Sequence, residues 1–229
     1  METKPVRKSE LLKTAIIRYL VAITCVFLIL FIPAGDLKYW NGWLFLVSLF
    51  IPMIFSVIYF YLKDPALLEK RLKTQEKEKA QKAYIFMSIV VFIISFILPG
   101  LDYRFKWSTV PLPIVAIACV LMVLGYILFV IVMIQNSYAS RIVEVQENQK
   151  IIDTGLYSIV RHPMYLAASM VFVSSPVVLG SYISLIPMIL FPIMLGLRII
   201  NEEKVLKEGL KGYEEYRKRV KYKMVPFVW

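Results

Sequence analysis

Two polar clusters in the C-terminal half contain the residues best suited to chemistry. The first cluster, Thr154–Tyr165 (T-G-L-Y-S-I-V-R-H-P-M-Y), holds the single histidine of the chain, His162, directly before Pro163. Proline is favoured at the first position of a helix, so His162 is predicted at a helix N-terminus, where N–H groups attract a carboxylate or phosphate. Tyr165 lies near the same helical face. The alternative is that Arg161 and His162 only anchor a helix among lipid headgroups.

The second cluster consists of Arg198, Glu202 and Glu203. Arg198 and Glu202 are four residues apart and therefore share a helical face. An exposed ion pair within one helix would account for them, but carboxylates at the end of a membrane helix are costly unless they are paired or used. A carboxylate here suits a ribose diol or a cationic ligand, and Arg198 suits an anionic substrate group.

The segment between the clusters, from Pro163 to Leu197, contains no charged residue. As one straight helix it would be about 52 Å long, whereas a hydrocarbon core is roughly 30 Å thick. Pro176, Gly180 and Ser181 provide a break near its middle. We therefore predict a helical hairpin that brings the two clusters together at one membrane surface.

The composition is typical of an integral membrane protein. The 229 residues are 59% hydrophobic and 19% charged, with a mean hydropathy of +0.68. The net charge of +11 does not indicate nucleic-acid binding, because the basic residues form short blocks between apolar spans. Anionic lipid headgroups are the expected counter-charge. Cys25 and Cys119 lie within apolar runs, so neither a disulfide framework nor a metal site is indicated.

The apolar runs predict an all-α, polytopic protein with about six transmembrane helices. Four runs precede the hairpin: Tyr19–Pro33, Leu44–Leu62, Ala83–Leu101 and Pro111–Ile134. All but three of the 27 Lys and Arg residues fall in four blocks, and these blocks lie on one side if the chain crosses six times. The positive-inside rule then predicts that both termini and both clusters are cytoplasmic.

Two further segments are predicted to be cytoplasmic helices. Leu67–Lys82 is highly charged and lacks Gly and Pro, which is typical of a solvated or headgroup-bound helix. Glu202–Lys223 is predicted to be an amphipathic helix that covers the clusters, with one face formed by Val205, Leu206, Leu210, Tyr213 and Tyr216. The chain is predicted to be a single membrane domain, in which residues 1–134 form a scaffold with lipid access and residues 135–229 form the functional core.

The order of these motifs resembles the isoprenylcysteine carboxyl methyltransferase and phospholipid methyltransferase superfamily of integral membrane enzymes. The resemblance extends from near Ser140 to the C-terminus and is carried by G-L-Y-S-I-V-R-H-P-M-Y, an apolar hairpin, R-I-I-N-E-E-K-V-L and G-Y-E-E-Y-R-K-R-V-K-Y-K-M-V-P-F-V-W. The sequence departs from the family at Ala167 and Ala168, where relatives have a glycine soon after the tyrosine of R-H-P-x-Y.

The resemblance implies an S-adenosylmethionine-dependent methyltransferase that acts on an isoprenylcysteine carboxylate or another lipophilic acceptor. The family's substrate-side arginine matches Arg198. Its cofactor contacts, carried over residue by residue, fall on Gln149, Lys150, Ile151, Ile152, Tyr157, His162, Pro163, Met164, Tyr165 and Glu202. A carboxylate acceptor needs little help from a base, whereas an amine acceptor must lose a proton, and Glu203 is then the candidate catalytic base.

Two other functions are compatible with the sequence. An NADPH-dependent sterol-type reductase resembles this family in its C-terminal membrane architecture, but it would need a further basic contact for the 2′-phosphate. A non-catalytic channel or transporter is the other alternative. The first four spans contain almost no ionisable residue, which argues against an ion pathway.

Overall fold

The computed structural model describes residues 8–72, 79–139, 142 and 145–229. Over these residues the α-helices are α1 (Lys8–Ala34), α2 (Trp40–Lys63), α3 (Pro65–Leu72), α4 (Lys79–Phe105), α5 (Leu112–Gln135), α6 (Pro163–Val178), α7 (Leu185–Met188), α8 (Leu190–Gly209) and α9 (Tyr213–Arg219). A short 3₁₀ helix covers Gly155–Ser158. The described residues form no strand beyond one isolated bridge, so the predicted all-α fold class is confirmed.

Five helical stretches in the described part of the chain are long and apolar enough to cross a membrane. They are α1, α2, the Ala83–Phe105 portion of α4, α5, and the Leu185–Gly209 stretch that contains α7 and α8. Helix α6 is apolar but has only 16 residues, which is about 24 Å of helix. The protein is therefore an integral multi-pass membrane protein, while six complete crossings and the side on which the termini lie stay predictions.

The apolar insert folds back on itself, as predicted. Helix α6 ends at Val178, and Gly180 adopts a left-handed conformation with φ of +77°. The last carbonyls of a helix have no hydrogen-bond partner within the helix. At the end of α6 they accept hydrogen bonds from α2 and from the residue that precedes α2. Tyr39 Oη donates to Leu179 O at 2.5 Å, and Asn41 Nδ2 donates to Val178 O at 2.9 Å. The break falls at Gly180 and Ser181, two of the three residues predicted to provide it, while Pro176 lies within the last turn of α6.

A buried carboxylate holds the turn of the hairpin against the end of α4. Asp102 is 1% exposed and accepts hydrogen bonds from Ser108 N at 2.7 Å, Ser108 Oγ at 2.6 Å and Ser181 Oγ at 2.5 Å. A buried charge is tolerated when it is hydrogen-bonded in this way. We call this set of residues, Tyr39, Asn41, Asp102, Ser108 and Ser181, the turn cluster.

Helix α6 packs closely along α5, and Gly125 on α5 makes the approach possible. A side chain at Gly125 would begin 2.8 Å from Met170 Cβ and 3.1 Å from Ala167 O, which is too close for any residue but glycine. Small residues let membrane helices approach closely in this manner. Ala167, at the place where the resembling family has a glycine nearby, is fully buried here.

One of the two predicted cytoplasmic helices differs from the structure, and the other lies partly outside the described residues. Within Leu67–Lys82, helix α3 ends at Leu72 and α4 begins at Lys79, while residues 73–78 lie outside the described residues. The prediction of one helix over Glu202–Lys223 is wrong, because α8 ends at Gly209 and α9 covers only Tyr213–Arg219. Gly212, directly before α9, has φ of +86°, which an α-helix does not permit.

Candidate active site

The loop that carries Tyr157 is fixed to the end of α5. Gln135 Oε1 accepts a hydrogen bond from Leu156 N at 3.0 Å, and Asn136 Nδ2 donates to Tyr157 Oη at 2.9 Å. Gly155 has φ of +59°, and a side chain there would begin 2.7 Å from Gln135 Nε2. The positive φ thus favours glycine at this position, and the loop holds the buried Tyr157 against the end of α5.

The next residues of the loop are fixed to the C-terminal segment. The backbone N–H groups of Arg161 and His162 donate to the carbonyls of Tyr222 and Lys223 at 3.0 and 2.7 Å. Arg161 Nη1 also donates to Val220 O at 2.6 Å and to the next carbonyl along the chain at 2.9 Å. The segment after α9 is therefore held beside the N-terminus of α6, and α9 is placed over the same end of the hairpin.

A buried ion pair connects this loop to α8. Glu203 is 5% exposed, its Oε1 accepts a hydrogen bond from Arg161 Nε at 2.6 Å, and the same oxygen lies 3.3 Å from His162 Nε2. Buried ions of opposite charge compensate each other's loss of water only when they are paired and hydrogen-bonded. The pair therefore fixes the distance between the N-terminus of α6 and the polar end of α8.

The two polar clusters meet, as predicted from the hairpin. The rings of His162 and Tyr165 stack with their centroids 5.6 Å apart. Tyr165 Oη donates to Glu202 Oε2 and accepts from Arg198 Nε, the latter at 2.9 Å. One phenol hydroxyl thus joins the first cluster to both the cation and the carboxylate of the second.

A cleft opens at this meeting point. Its empty volume, counting the space open to solvent, is about 880 Å³. Of the cofactor contacts predicted from the sequence, all but Pro163 line it. Pro163 instead is a buried residue that begins α6. The cleft lining comprises Asn136, Tyr138, Ala139, Ile142, Gln149, Lys150, Ile151, Ile152, Tyr157, Arg161, His162, Met164, Tyr165, Glu202, Val205, Leu206, Leu210, Tyr213 and Tyr216.

The two predicted catalytic residues are not among the described residues that line the cleft. Arg198 lies behind Tyr165, and its guanidinium carbon is 5.0 Å from the centre of the Tyr84 ring. Glu203 is held in its ion pair with Arg161. This placement does not fit the prediction that Glu203 is a catalytic base, because a carboxylate stabilised by a guanidinium has little tendency to accept a proton.

Three buried tyrosines form a neutral wall of the cleft. Burial raises the pKa of Tyr157 to about 12, and burial likewise raises the pKa of Tyr213 and of Tyr216 well above the usual value. Tyr216 Oη donates to Tyr157 O at 2.7 Å. Tyr213 is 4% exposed, and its hydroxyl has no hydrogen-bond partner among the described residues. A buried hydroxyl without a partner is costly, and Tyr213 is one of the residues that line the cleft.

Sequence reasoning missed one wall of the cleft. Asn136, Tyr138, Ala139 and Ile142 follow α5 and line the cleft opposite α8. The available signal was the polar N-S-Y run directly after the fourth apolar run, at the surface where the clusters were expected. Arg161 was noticed only as an anchor, since its partners Val220 and Glu203 are remote in sequence.

The family comparison fits this geometry. Residues 116–208 match the sequence model of the isoprenylcysteine carboxyl methyltransferase (ICMT) family. The match covers less than half of the chain. The matched segment runs from α5 through the hairpin to the end of α8, so it includes both polar clusters. The resemblance inferred from the motifs is confirmed over this segment.

A solved structure shares the fold. The eukaryotic intramembrane Ras methyltransferase ICMT, determined without a monobody, superposes with a TM-score of 0.51 and 17% sequence identity, over 93% of this chain and 85% of that chain. At this identity the likeness shows the fold alone, and it extends the ICMT architecture to the helices before residue 116. A comparison with curated protein sequences gave no match.

Proposed function

We propose that this protein is an S-adenosylmethionine-dependent methyltransferase that acts on a lipophilic acceptor within the membrane. An isoprenylcysteine carboxylate is the acceptor that the ICMT family match favours. The observation that carries the proposal is the convergence of the predicted cofactor contacts on one cleft, from the segment before residue 153, the start of α6 and the end of α8. Arg198, the substrate-side arginine, is one hydrogen bond away from that cleft.

The residues of the cleft fit such a cofactor. Glu202 offers a carboxylate that suits the two ribose hydroxyls, and Tyr213 offers a buried hydroxyl in need of a partner. The side chains of Val205, Leu206 and Leu210 give the apolar surface that an adenine ring requires. The start of α6, beside His162, suits the carboxylate of the methionyl group, because a helix N-terminus attracts anions.

When bound, the cofactor supplies a methyl group on a positively charged sulfur, and its transfer to an anion neutralises both charges. The protein therefore has to position the acceptor and exclude water more than it has to move protons. The Arg161–Glu203 pair holds the cleft's two helices in place. Arg198 is 9% exposed, and a guanidinium so well shielded from water attracts an anionic acceptor strongly. A carboxylate acceptor needs no base, in agreement with the placement of Glu203.

We also propose on which side of the membrane the cleft lies and what each half of the chain does. The cleft and both termini lie on the cytoplasmic side, as the distribution of Lys and Arg predicts. Residues 135–229 form the cofactor-binding core. Residues 1–134 form a scaffold and give the lipid acceptor access from the bilayer.

Titration calorimetry with S-adenosylhomocysteine on the purified, detergent-solubilised protein tests the cofactor site. Removing a charged hydrogen-bonding group costs roughly 1.5–3 kcal/mol, so Glu202→Ala is expected to weaken binding by about tenfold or more. His162→Ala should weaken it in the same direction. Glu214→Ala is the matched control, because this carboxylate is exposed on α9 and is absent from the cleft lining.

Equal binding heats for the wild type, Glu202→Ala and His162→Ala would contradict the site. Binding of NADPH without binding of S-adenosylhomocysteine would favour a reductase instead. The acceptor class is tested separately, by incubating the protein with a methyl-labelled cofactor and either N-acetyl-S-farnesylcysteine or phospholipid vesicles. We expect label in the farnesylcysteine as a base-labile ester, and label only in phospholipid would contradict a carboxylate acceptor.

A further inference from the structure

The guanidinium of Arg198 lies between two tyrosine rings. Its carbon is 5.0 Å from the centre of the Tyr84 ring and 6.0 Å from the centre of the Tyr165 ring. Both distances are within the range of cation–π attraction, which is strongest where the cation is shielded from water. Arg198 meets that condition, since it is a buried residue near the end of the hairpin.

The two rings differ in what else they do. Tyr165 lines the cleft and uses its hydroxyl on both Glu202 and Arg198. Tyr84 is not among the described residues that line the cleft, and it comes from α4, before the segment that matches the ICMT family. Its side chain is partly buried against the main hydrophobic core. Tyr84 thus contacts Arg198 from a helix that contributes no described residue to the cleft lining.

Contact with a ring face orients an arginine without consuming its hydrogen-bond donors. A guanidinium is planar and carries its five N–H groups in that plane, where they match a carboxylate. The hydrogen bond from Nε to Tyr165 fixes one edge of Arg198. The Tyr84 ring on α4 limits the rotation of the guanidinium about that edge. Arg198 is thereby held in one orientation relative to Tyr165 and the cleft behind it.

We propose that Tyr84 is a positioning residue for an anionic acceptor: its ring holds the Arg198 guanidinium in the orientation that receives the acceptor's carboxylate. The inference rests on the methyltransferase function proposed above. It adds a residue from the N-terminal half of the chain that favours an anionic acceptor. It also defines the acceptor side of the site as the region where α4 meets α8.

Steady-state kinetics with N-acetyl-S-farnesylcysteine as the varied acceptor test this role in the full-length protein. Tyr84→Leu is expected to raise the KM for the acceptor about tenfold, while the affinity for S-adenosylhomocysteine stays within about twofold of the wild type. Tyr84→Phe keeps the ring and should restore the wild-type KM. Phe86→Leu is the matched control, because Phe86 lies on the same helix, is 68% exposed and faces away from the site.

The outcomes separate this inference from the function on which it rests. If the wild type methylates the farnesylcysteine and Tyr84→Leu has the same KM as Phe86→Leu, the positioning role is wrong and the enzyme function stands. A loss of S-adenosylhomocysteine binding in Tyr84→Leu that matches its loss of activity would make Tyr84 a general structural residue and also overturn the role. If the wild type transfers no methyl group to this acceptor, the carboxylate-acceptor function and the inference fail together.

Discussion

The two ends of the α6–α8 hairpin are both polar, but they are built differently. At the turn cluster the Asp102 carboxylate is surrounded by short hydrogen bonds from Ser108 and Ser181. At the open end the Glu203 carboxylate is also buried, yet the surrounding residues leave a cleft and a Tyr213 hydroxyl that has no hydrogen-bond partner in the described part of the chain. A buried polar group that is satisfied within the chain stabilises the fold, whereas one left unsatisfied beside a cleft points to a ligand.

The largest effect is expected where a buried charge loses its partner. Glu203→Gln leaves the Arg161 guanidinium buried without a counter-ion, and breaking a buried pair in this way costs roughly 3–5 kcal/mol. The change should lower the midpoint of thermal unfolding in detergent strongly and abolish cofactor binding. The control is Glu214→Gln, which removes an exposed ion pair with Arg217 and should leave the midpoint nearly unchanged. Equal midpoints for both variants would show that the pair does not hold the open end together.

A smaller effect is expected at the opposite end of the hairpin. Asp102→Asn keeps the size of the side chain but weakens its hydrogen bonds from Ser108 and Ser181, at a cost of about 1–3 kcal/mol. Thermal unfolding should shift accordingly, while S-adenosylhomocysteine binding at a temperature where the variant is folded should not change. If a fully folded Asp102→Asn protein lost S-adenosylhomocysteine binding, the turn cluster would also be needed for binding, and the two ends would not differ in function.

Packing between the ends should respond by a similar amount. Gly125→Ala forces a methyl group against Met170 and the backbone of Ala167, and overpacking of this kind typically costs about 1–3 kcal/mol. The midpoint of unfolding should fall. The control is Gly196→Ala, where a side chain would begin 3.5 Å from Trp229, and its midpoint should stay unchanged or rise slightly. Equal midpoints for the two variants would show that the contact at Gly125 is not tight.

The smallest effect on stability, and the most selective effect on binding, is expected for Tyr213→Phe. The hydroxyl has no partner among the described residues, so its removal should leave the unfolding midpoint unchanged or slightly higher. Loss of one hydrogen bond to a ligand is worth roughly 0.5–1.5 kcal/mol, and S-adenosylhomocysteine should bind about three- to tenfold more weakly. Unchanged affinity in calorimetry would mean that this hydroxyl does not face the ligand.

The sequence predicted the parts of the fold that depend on hydrophobic pattern. The apolar runs, the break near Gly180 and the meeting of Tyr165 with Arg198 and Glu202 follow from length, turn residues and the cost of unpaired charge in a membrane. The division of the last helix was missed, because Leu210, Tyr213 and Tyr216 keep a helical spacing across a glycine whose backbone leaves the helical range.

The site was predicted less completely than the fold. Local spacing identified His162, which directly precedes α6, and Glu202, which lies on α8. It gave no information about which carboxylate is paired, and Glu203 rather than Glu202 turned out to hold Arg161. Tyr84 was also beyond reach, because contacts between helices that are remote in sequence follow from the packing of the whole bundle.

The hydroxyl of Tyr165 has a consequence for the order of events. It donates to Glu202 and accepts from Arg198, the residues proposed to contact the nucleotide and the lipid acceptor, so neither contact can be rearranged without affecting the other. If one ligand takes the hydrogen bond that this hydroxyl donates, the second ligand meets a changed site. The affinities for the two ligands are then coupled, and the coupling is equal in both directions. We expect occupancy by the nucleotide to change the affinity for the lipid and the lipid to change the affinity for the nucleotide by the same factor.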